Sequence, residues 1–241
     1  MKGIMGKSSK KILKLLPLFA PITAITLSSA CTNGLVDEKS NVINKISELE
    51  NLSNNAKNDY KNKIIKTDNI NELYGFLKRA TNENKQKASA IEQIQKYDLH
   101  IFSIKAKQIL TEKIKDLAPD NIDAFLNEVN NIKVDKETVL KNINENESHF
   151  QKYNFDITPF KSKIADIAET QSLANIKQNV SLEVTRYVSL TKISSMPNLS
   201  DNIKNNYKNE ILKKQDINKI SDLLKQAEKE NELKTIAINK Y

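Results

Sequence analysis

The sequence predicts an all-α fold: an elongated array of about four three-helix-bundle repeats, joined by long shared helices and preceded by an N-terminal leader. Three observations carry that expectation. The 241 residues include only 4 Gly and 5 Pro, and scarcity of these turn-forming residues favours long helices over many short strands. Apolar residues recur at steps of three and four, the helical period. One long segment also occurs twice in the chain.

The leader comes first. Lys2, Lys7, Lys10, Lys11 and Lys14 precede an apolar run containing Leu15, Leu16, Leu18, Phe19, Ile22, Ile25 and Leu27. Ser28, Ser29 and Ala30 follow, and then Cys31, the only cysteine. A basic start, an apolar stretch and small residues before a cleavage point define a secretion signal over residues 1–30. Pro17 and Pro21 interrupt the run and argue against a permanent spanning helix. The cysteine directly after the small residues resembles a bacterial lipobox, although Leu27 stands four residues before it instead of three. The resemblance implies cleavage between Ala30 and Cys31 and a diacylglyceryl group on the Cys31 thiol. An uncleaved signal anchor with an incidental cysteine is the alternative. Both readings place the rest of the chain outside the cell, and the first anchors it by lipid to the outer face of the membrane, with residues 31–40 as anchor and short linker. A single cysteine offers no disulfide framework, so the remainder must hold itself together by packing.

The duplicated segment is Asn51–Lys87 against Asn198–Lys234. The two align without a gap and about half the positions are identical. Tyr60 matches Tyr207, Ile64 matches Ile211, Leu77 matches Leu224 and Ala80 matches Ala227. Two weaker copies lie between them. Every copy opens on an apolar residue and a hydroxyl: Leu52-Ser53, Phe102-Ser103, Ile157-Thr158 and Leu199-Ser200. Each continues to a short polar residue and an aliphatic one: Asn69-Ile70, Asn121-Ile122, Ser172-Leu173 and Asp216-Ile217. Ser, Thr, Asn and Asp accept hydrogen bonds from the unpaired amides of a helix's first turn. Ser53, Asn69, Ser103, Asn121, Thr158, Ser172, Ser200 and Asp216 are therefore the expected helix caps, with Glu72 completing a capping box on Asn69. Pro159 suits a first helical position.

A further helix precedes each first mark, through Val42, Ile46 and Leu49, or Leu190, Ile193 and Met196. The expected units are residues 41–86, 87–134, 135–176 and 177–236. No Gly or Pro occurs between Phe76 and Ala118, so the third helix of one unit should run into the first of the next, making a stiff rod. The apolar seam turns polar at Asn84 and Lys87, which marks the expected junction.

Charge and motifs exclude more than they assign. Of a formal net charge of +8, five belong to the leader lysines, leaving a mild balance elsewhere. Arg79 and Arg186 are the only arginines, so bidentate readout of bases or phosphates is poorly supplied and no nucleic-acid partner is expected. His100 and His149 are far apart in sequence, and no metal-binding or phosphate-binding motif is present. No catalytic residue, cofactor, metal or small-molecule substrate is expected. Tyr60 and Tyr207 fall on the apolar stripe and read as core. Tyr74 and Phe76 lie two apart, on roughly opposite faces of a helix, and are the candidate partner contacts.

The string Asn-Leu-Ser followed by Lys57, Tyr60, Ile64, Ile70, Leu77 and Ala80, with its second copy, resembles the GA-type three-helix modules of bacterial surface proteins. That resemblance implies three-helix bundles and capture of albumin or another serum or matrix protein. The third copy is closer to the albumin-binding spacing, with Phe160 two residues after Thr158 as a further candidate contact. The leader, the early cysteine and the Lys/Asn/Ile-rich helices are similar to mycoplasma surface lipoproteins of the variable adherence-associated antigen type. This implies a non-catalytic, lipid-anchored adhesin that meets host cells or host proteins. Albumin or matrix-protein capture and a passive antigenic coat are the alternatives.

Overall fold

The computed structural model describes residues 32–240. Ala30, Cys31 and the rest of the leader lie outside the described residues. Among those described, the chain is all-helical, with no strand. The helices are α1 (Thr32–Ser47), α2 (Asn54–Lys66), α3 (Ile70–Gln95), α4 (Ile104–Asp116), α5 (Ile122–Glu145), α6 (Glu147–Lys152), α7 (Thr158–Asp166), α8 (Thr170–Ser195), α9 (Asp201–Lys213) and α10 (Ile217–Ile238). A 3₁₀ turn, Pro119–Asn121, leads into α5. Among the described residues no helix is long and apolar enough to cross a membrane.

The polar marks in the sequence start several of these helices. The Ser53 and Ser103 hydroxyls accept from the amides of Ala56 and Ala106 at 3.3 and 3.2 Å. Asn69 accepts from Asn71 and Glu72, and Asp216 from Asn218 and Lys219. Such a bond satisfies an otherwise orphaned first-turn donor and contributes about 1 kcal/mol. The other marks behave differently. Ser200 holds the cap position of α9 without a side-chain bond, and so does Asn121 at the start of α5. Thr158 is the first residue of α7, and its amide is taken by the Asp156 carboxylate at 2.9 Å. Ser172 lies inside α8, which begins at Thr170 after Glu169. The expected box on Asn69 is replaced by a relay. The Asn69 amide donates to the Thr67 hydroxyl, and that hydroxyl donates to Glu72 at 2.5 Å.

Buried side chains form four clusters in chain order. The first joins Val42 and Ile46 of α1, Ile64 of α2, and Leu73, Phe76 and Ala80 of α3. The second joins Ala90 and Ile94 of α3, Phe102, the α4 stripe Ala106, Leu110 and Ile114, and Ile122, Val129 and Ile132 of α5. The third joins Val139 and Ile143 of α5 to Phe150 of α6, Ile164 of α7 and Val180 of α8. The fourth joins Leu190 and Ile193 of α8, Ile211 of α9, and Ile220 and Ala227 of α10. Thus α3, α5 and α8 each run unbroken from one cluster into the next.

The third cluster holds an element that the apolar spacing does not announce. The chain turns at Asn146, makes the short helix α6, and turns again at Asn154, which adopts φ 54°. Asparagine is among the few non-glycine residues that tolerate this left-handed conformation. The turn folds Phe155 back onto Phe150 and Tyr187, with ring centroids 5.7 and 4.6 Å away. Aromatic packing of this kind gives the short helix its hold.

Candidate functional site

The four clusters share a device built from cations set against helix ends, three of them buried. Lys39 donates to the Ile65 carbonyl at 3.1 Å, and Lys87 to the Lys115 carbonyl at 2.8 Å. Lys136 donates to Ile101 at 2.7 Å and to Ala165 at 3.2 Å, and Arg186 to Lys214 at 2.6 Å. Ile65, Lys115, Ala165 and Lys214 lie at the C-terminal ends of α2, α4, α7 and α9. A helix leaves its last four carbonyls unpaired and carries partial negative charge there, so a cation is favoured. Each cation sits seven residues ahead of a buried isoleucine on its own helix: Ile46, Ile94, Ile143 and Ile193. Two helical turns keep both residues on one face.

The same contacts tie neighbouring clusters together. The Ser53 amide donates to the Lys115 carbonyl at 3.3 Å, and the Ser103 amide to the Ala165 carbonyl at 2.9 Å. Each of these carbonyls therefore receives a cation from one side and the cap amide of an earlier helix from the other. Lys87 and Lys136 are completely buried by this arrangement, and Arg186 is nearly so. Lys39, with no described helix ahead of α1 to cover it, keeps 18 % side-chain exposure and pairs with Asp68 at 3.1 Å.

The buried charges are compensated unequally. Lys87 meets the Glu83 carboxylate at 2.6 Å, and that carboxylate also accepts the Tyr60 hydroxyl at 2.9 Å. Burial, and then the bond to Glu83, holds the Tyr60 hydroxyl well above the ordinary range for tyrosine. Arg186 pairs with Glu183, while its buried Nε has no partner among the described residues. Lys136 has no ion-pair partner among the described residues and lies 3.9 Å from the centre of the Phe102 ring. Burial pushes its ammonium down to about 7, with the Asp166 charge acting in the opposite direction.

Around Lys87 lies a shallow groove of about 470 Å³, where Tyr60, Asp59 and Lys63 face Asp116, Leu117 and Pro119. The fourth cluster repeats its chemistry at the matching positions. Tyr207 donates to Glu230 at 3.0 Å, Glu230 pairs with Lys234 at 3.0 Å, and Asn231 accepts the Asn198 amide at 3.0 Å. In the first cluster Asn84 accepts the Asn51 amide at 2.9 Å. The difference is cover: the side chains of Lys234 and Glu230 remain 37 % and 34 % exposed.

The candidate partner contacts are all engaged internally. Phe76 is buried in the first cluster with the Arg79 guanidinium 4.7 Å from its ring centre. Tyr74 is half-buried against the same cluster, and its hydroxyl donates to Glu38 at 2.5 Å. That bond, and then burial, pushes its pKa up to about 12. The long Tyr74 ring lies back across the helix toward α1, so two positions on opposing faces reach one core. Phe160 is half-buried, with its ring centre 6.1 Å from that of Phe155. Tyr60 and Tyr207 pack against the first and fourth clusters as their stripe requires. Among the described residues no group of three or more His, Cys, Asp or Glu side chains is placed to hold a metal ion.

The helix-end cations are the feature that the apolar spacing and the caps do not announce. Their signal is nonetheless present, because Lys39, Lys87, Lys136 and Arg186 recur about one bundle apart, each seven residues before an isoleucine. The chain matches no protein-family model and no curated protein sequence.

Proposed function

We propose that this protein is a lipid-anchored bacterial surface adhesin, non-catalytic, in which an elongated array of four three-helix repeats carries host-contacting surfaces away from the membrane. The observation that carries the reading is the order of the segments: a basic and apolar leader, a lone Cys31, and a first helix that begins at Thr32. A diacylglyceryl group at Cys31 would attach the membrane to the base of α1. Each buried CH₂ contributes about 0.8 kcal/mol, and two chains suffice for stable anchoring. The array reading draws support from the four cores in chain order, the helices that run between them and the cation set into each. Similar units in series give avidity without a strong single site.

The test is a pull-down with residues 32–241, from serum and from host-cell membrane extract. Recovery of a membrane or matrix component supports the adhesin. Selective recovery of albumin replaces it with the GA-type capture reading. No recovery by a bait with a helical circular-dichroism spectrum leaves the passive coat.

A further inference from the structure

The three buried junction cations differ in how they are neutralised. Lys87 has Glu83 four residues earlier on its own helix, and Arg186 has Glu183 three residues earlier. The corresponding places before Lys136 hold Ile132, which is buried, and Lys133, which pairs with Glu137 at 2.8 Å. Lys136 is nonetheless completely buried. The described residues offer its ammonium two carbonyls, of Ile101 and Ala165, and the Phe102 ring.

No neighbouring element brings it an ion-pair partner. At the end of α7, Asp166 is exposed and acts on Lys136 without pairing with it, while Lys161 and Lys163 are like charges. Helix α4 contributes a second buried cation, Lys107, bonded to the Gln95 and Tyr97 carbonyls. At the end of α3, Glu92 pairs with Lys96 at 2.9 Å, and in the following turn the Asp98 carboxylate accepts the His100 amide at 2.8 Å. Between α7 and α8, Glu169 is taken by Lys113 at 2.8 Å. Between Leu173 and Val180, where α8 packs beside α5, the one charged residue is Lys177, and it is exposed. On α5 itself Asp135 is the next residue in sequence, and so lies about 100° around the helix.

A neutral amine suits this place better than an ammonium. The neutral form keeps a hydrogen for each carbonyl, whereas the charged form holds an unpaired charge away from water. Burial accordingly holds the group down to about 7. Parting α4 from α7 would return the amine to water and to its ordinary value of 10.5. The parted state thus binds the proton more strongly, so parting is favoured as pH falls from 10.5 to 7 and levels off below. Across this contact the Ser103 amide donates to the Ala165 carbonyl at 2.9 Å, a bond that reports whether the contact is closed.

We propose that the junction between the second and third clusters is a proton-operated hinge: protonation of Lys136 parts the start of α4 from the end of α7, while the junctions at Lys87 and Arg186 stay closed. This goes beyond the adhesin reading and does not depend on it.

Amide hydrogen exchange of residues 32–241, followed by NMR between pH 7 and 9 and corrected for intrinsic rates, tests the hinge in the wild-type sequence. The Ser103 amide should open more often as pH falls, by up to about tenfold per pH unit. Its protection should stay below that of Leu110, which is buried inside α4 and exchanges on global unfolding. The Ser53 amide makes the matching bond to Lys115 beside the compensated Lys87 and should open to the same extent across the range. In Lys136→Met the Ser103 amide should lose its pH dependence. Ser103 opening that is independent of pH in wild type overturns the proposal, and so does Ser103 protection equal to that of Leu110, since the charge would then act on the whole fold and not on a hinge. Ser53 following pH as Ser103 does, or a folded Lys136→Met chain that keeps the dependence, overturns it as well. If Lys136→Met fails to fold, the three wild-type amides decide.

Discussion

Glu83→Gln and Glu230→Gln make the same chemical change at matching positions, and the structure expects different costs. Glu83 is 8 % exposed and meets a completely buried Lys87 at 2.6 Å and the Tyr60 hydroxyl at 2.9 Å. Removing its charge leaves the Lys87 ammonium with only the Lys115 carbonyl as a full partner. Breaking one side of a buried ion pair costs about 3–5 kcal/mol, because the surviving charge stays desolvated. The retained carbonyl bond places the expected loss near the lower end, about 3 kcal/mol. Glu230 and Lys234 keep about a third of their side chains in water, and an exposed pair contributes about 0–1 kcal/mol. Urea unfolding followed by circular dichroism at low micromolar concentration measures both losses. A double replacement, Glu83→Leu with Lys87→Met, should recover most of the stability that Glu83→Gln removes, since apolar residues of similar volume replace a buried pair at little cost. Equal losses from the two single changes, or no loss from Glu83→Gln, would refute the assignment of Lys87 to a sealed junction.

Lys136 makes stability depend on pH. Its folded-state pKa of about 7 lies below the ordinary 10.5, so the unfolded chain holds more protons between those values and stability rises with pH there. Relative to Lys136→Met, wild type should gain up to about 1.4 kcal/mol per pH unit above pH 7, read from urea midpoints at pH 6, 8 and 9. A difference independent of pH would assign the buried amine no linked titration. Ser53→Ala and Ser103→Ala should each cost about 1 kcal/mol as lost caps, whereas Ser172→Ala inside α8 should stay within about 0.5 kcal/mol; thermal melts distinguish the two outcomes. Phe150→Ala should cost about 3–5 kcal/mol by opening a cavity under α6, with loss of amide protection in Glu147–Lys152 by hydrogen exchange.

The all-helical class is legible in the sequence because the Gly and Pro counts and the apolar spacing act locally. Ser53, Asn69, Ser103 and Asp216 are legible for the same reason: a cap bonds an amide two or three residues away. Thr67 escapes that reading, since its hydroxyl stands between Asn69 and Glu72 only once the loop has closed. The four cations are harder still. A lone Lys87 in an apolar seam reads as a break in packing, and only the carbonyl of Lys115, distant in sequence, turns it into a contact. Tyr74 shows the limit of face arithmetic, because a long side chain can cross to Glu38. Helix α6 rests on Asn154 and an aromatic contact with Tyr187, neither of which has a helical period. Cys31 and Ala30, which carry the anchoring reading, lie outside the described residues.

The display reading depends on the four cores standing in a line instead of collapsing together. Small-angle X-ray scattering of residues 32–241, extrapolated to low concentration, tests that directly. A compact domain of this length has a radius of gyration of about 17 Å. An extended array held by its junction cations should give a value well above that, with a long tail in the distance distribution. A radius near 17 Å with a symmetric distribution would contradict the array, and with it the proposal that this chain holds its contact surfaces away from a membrane.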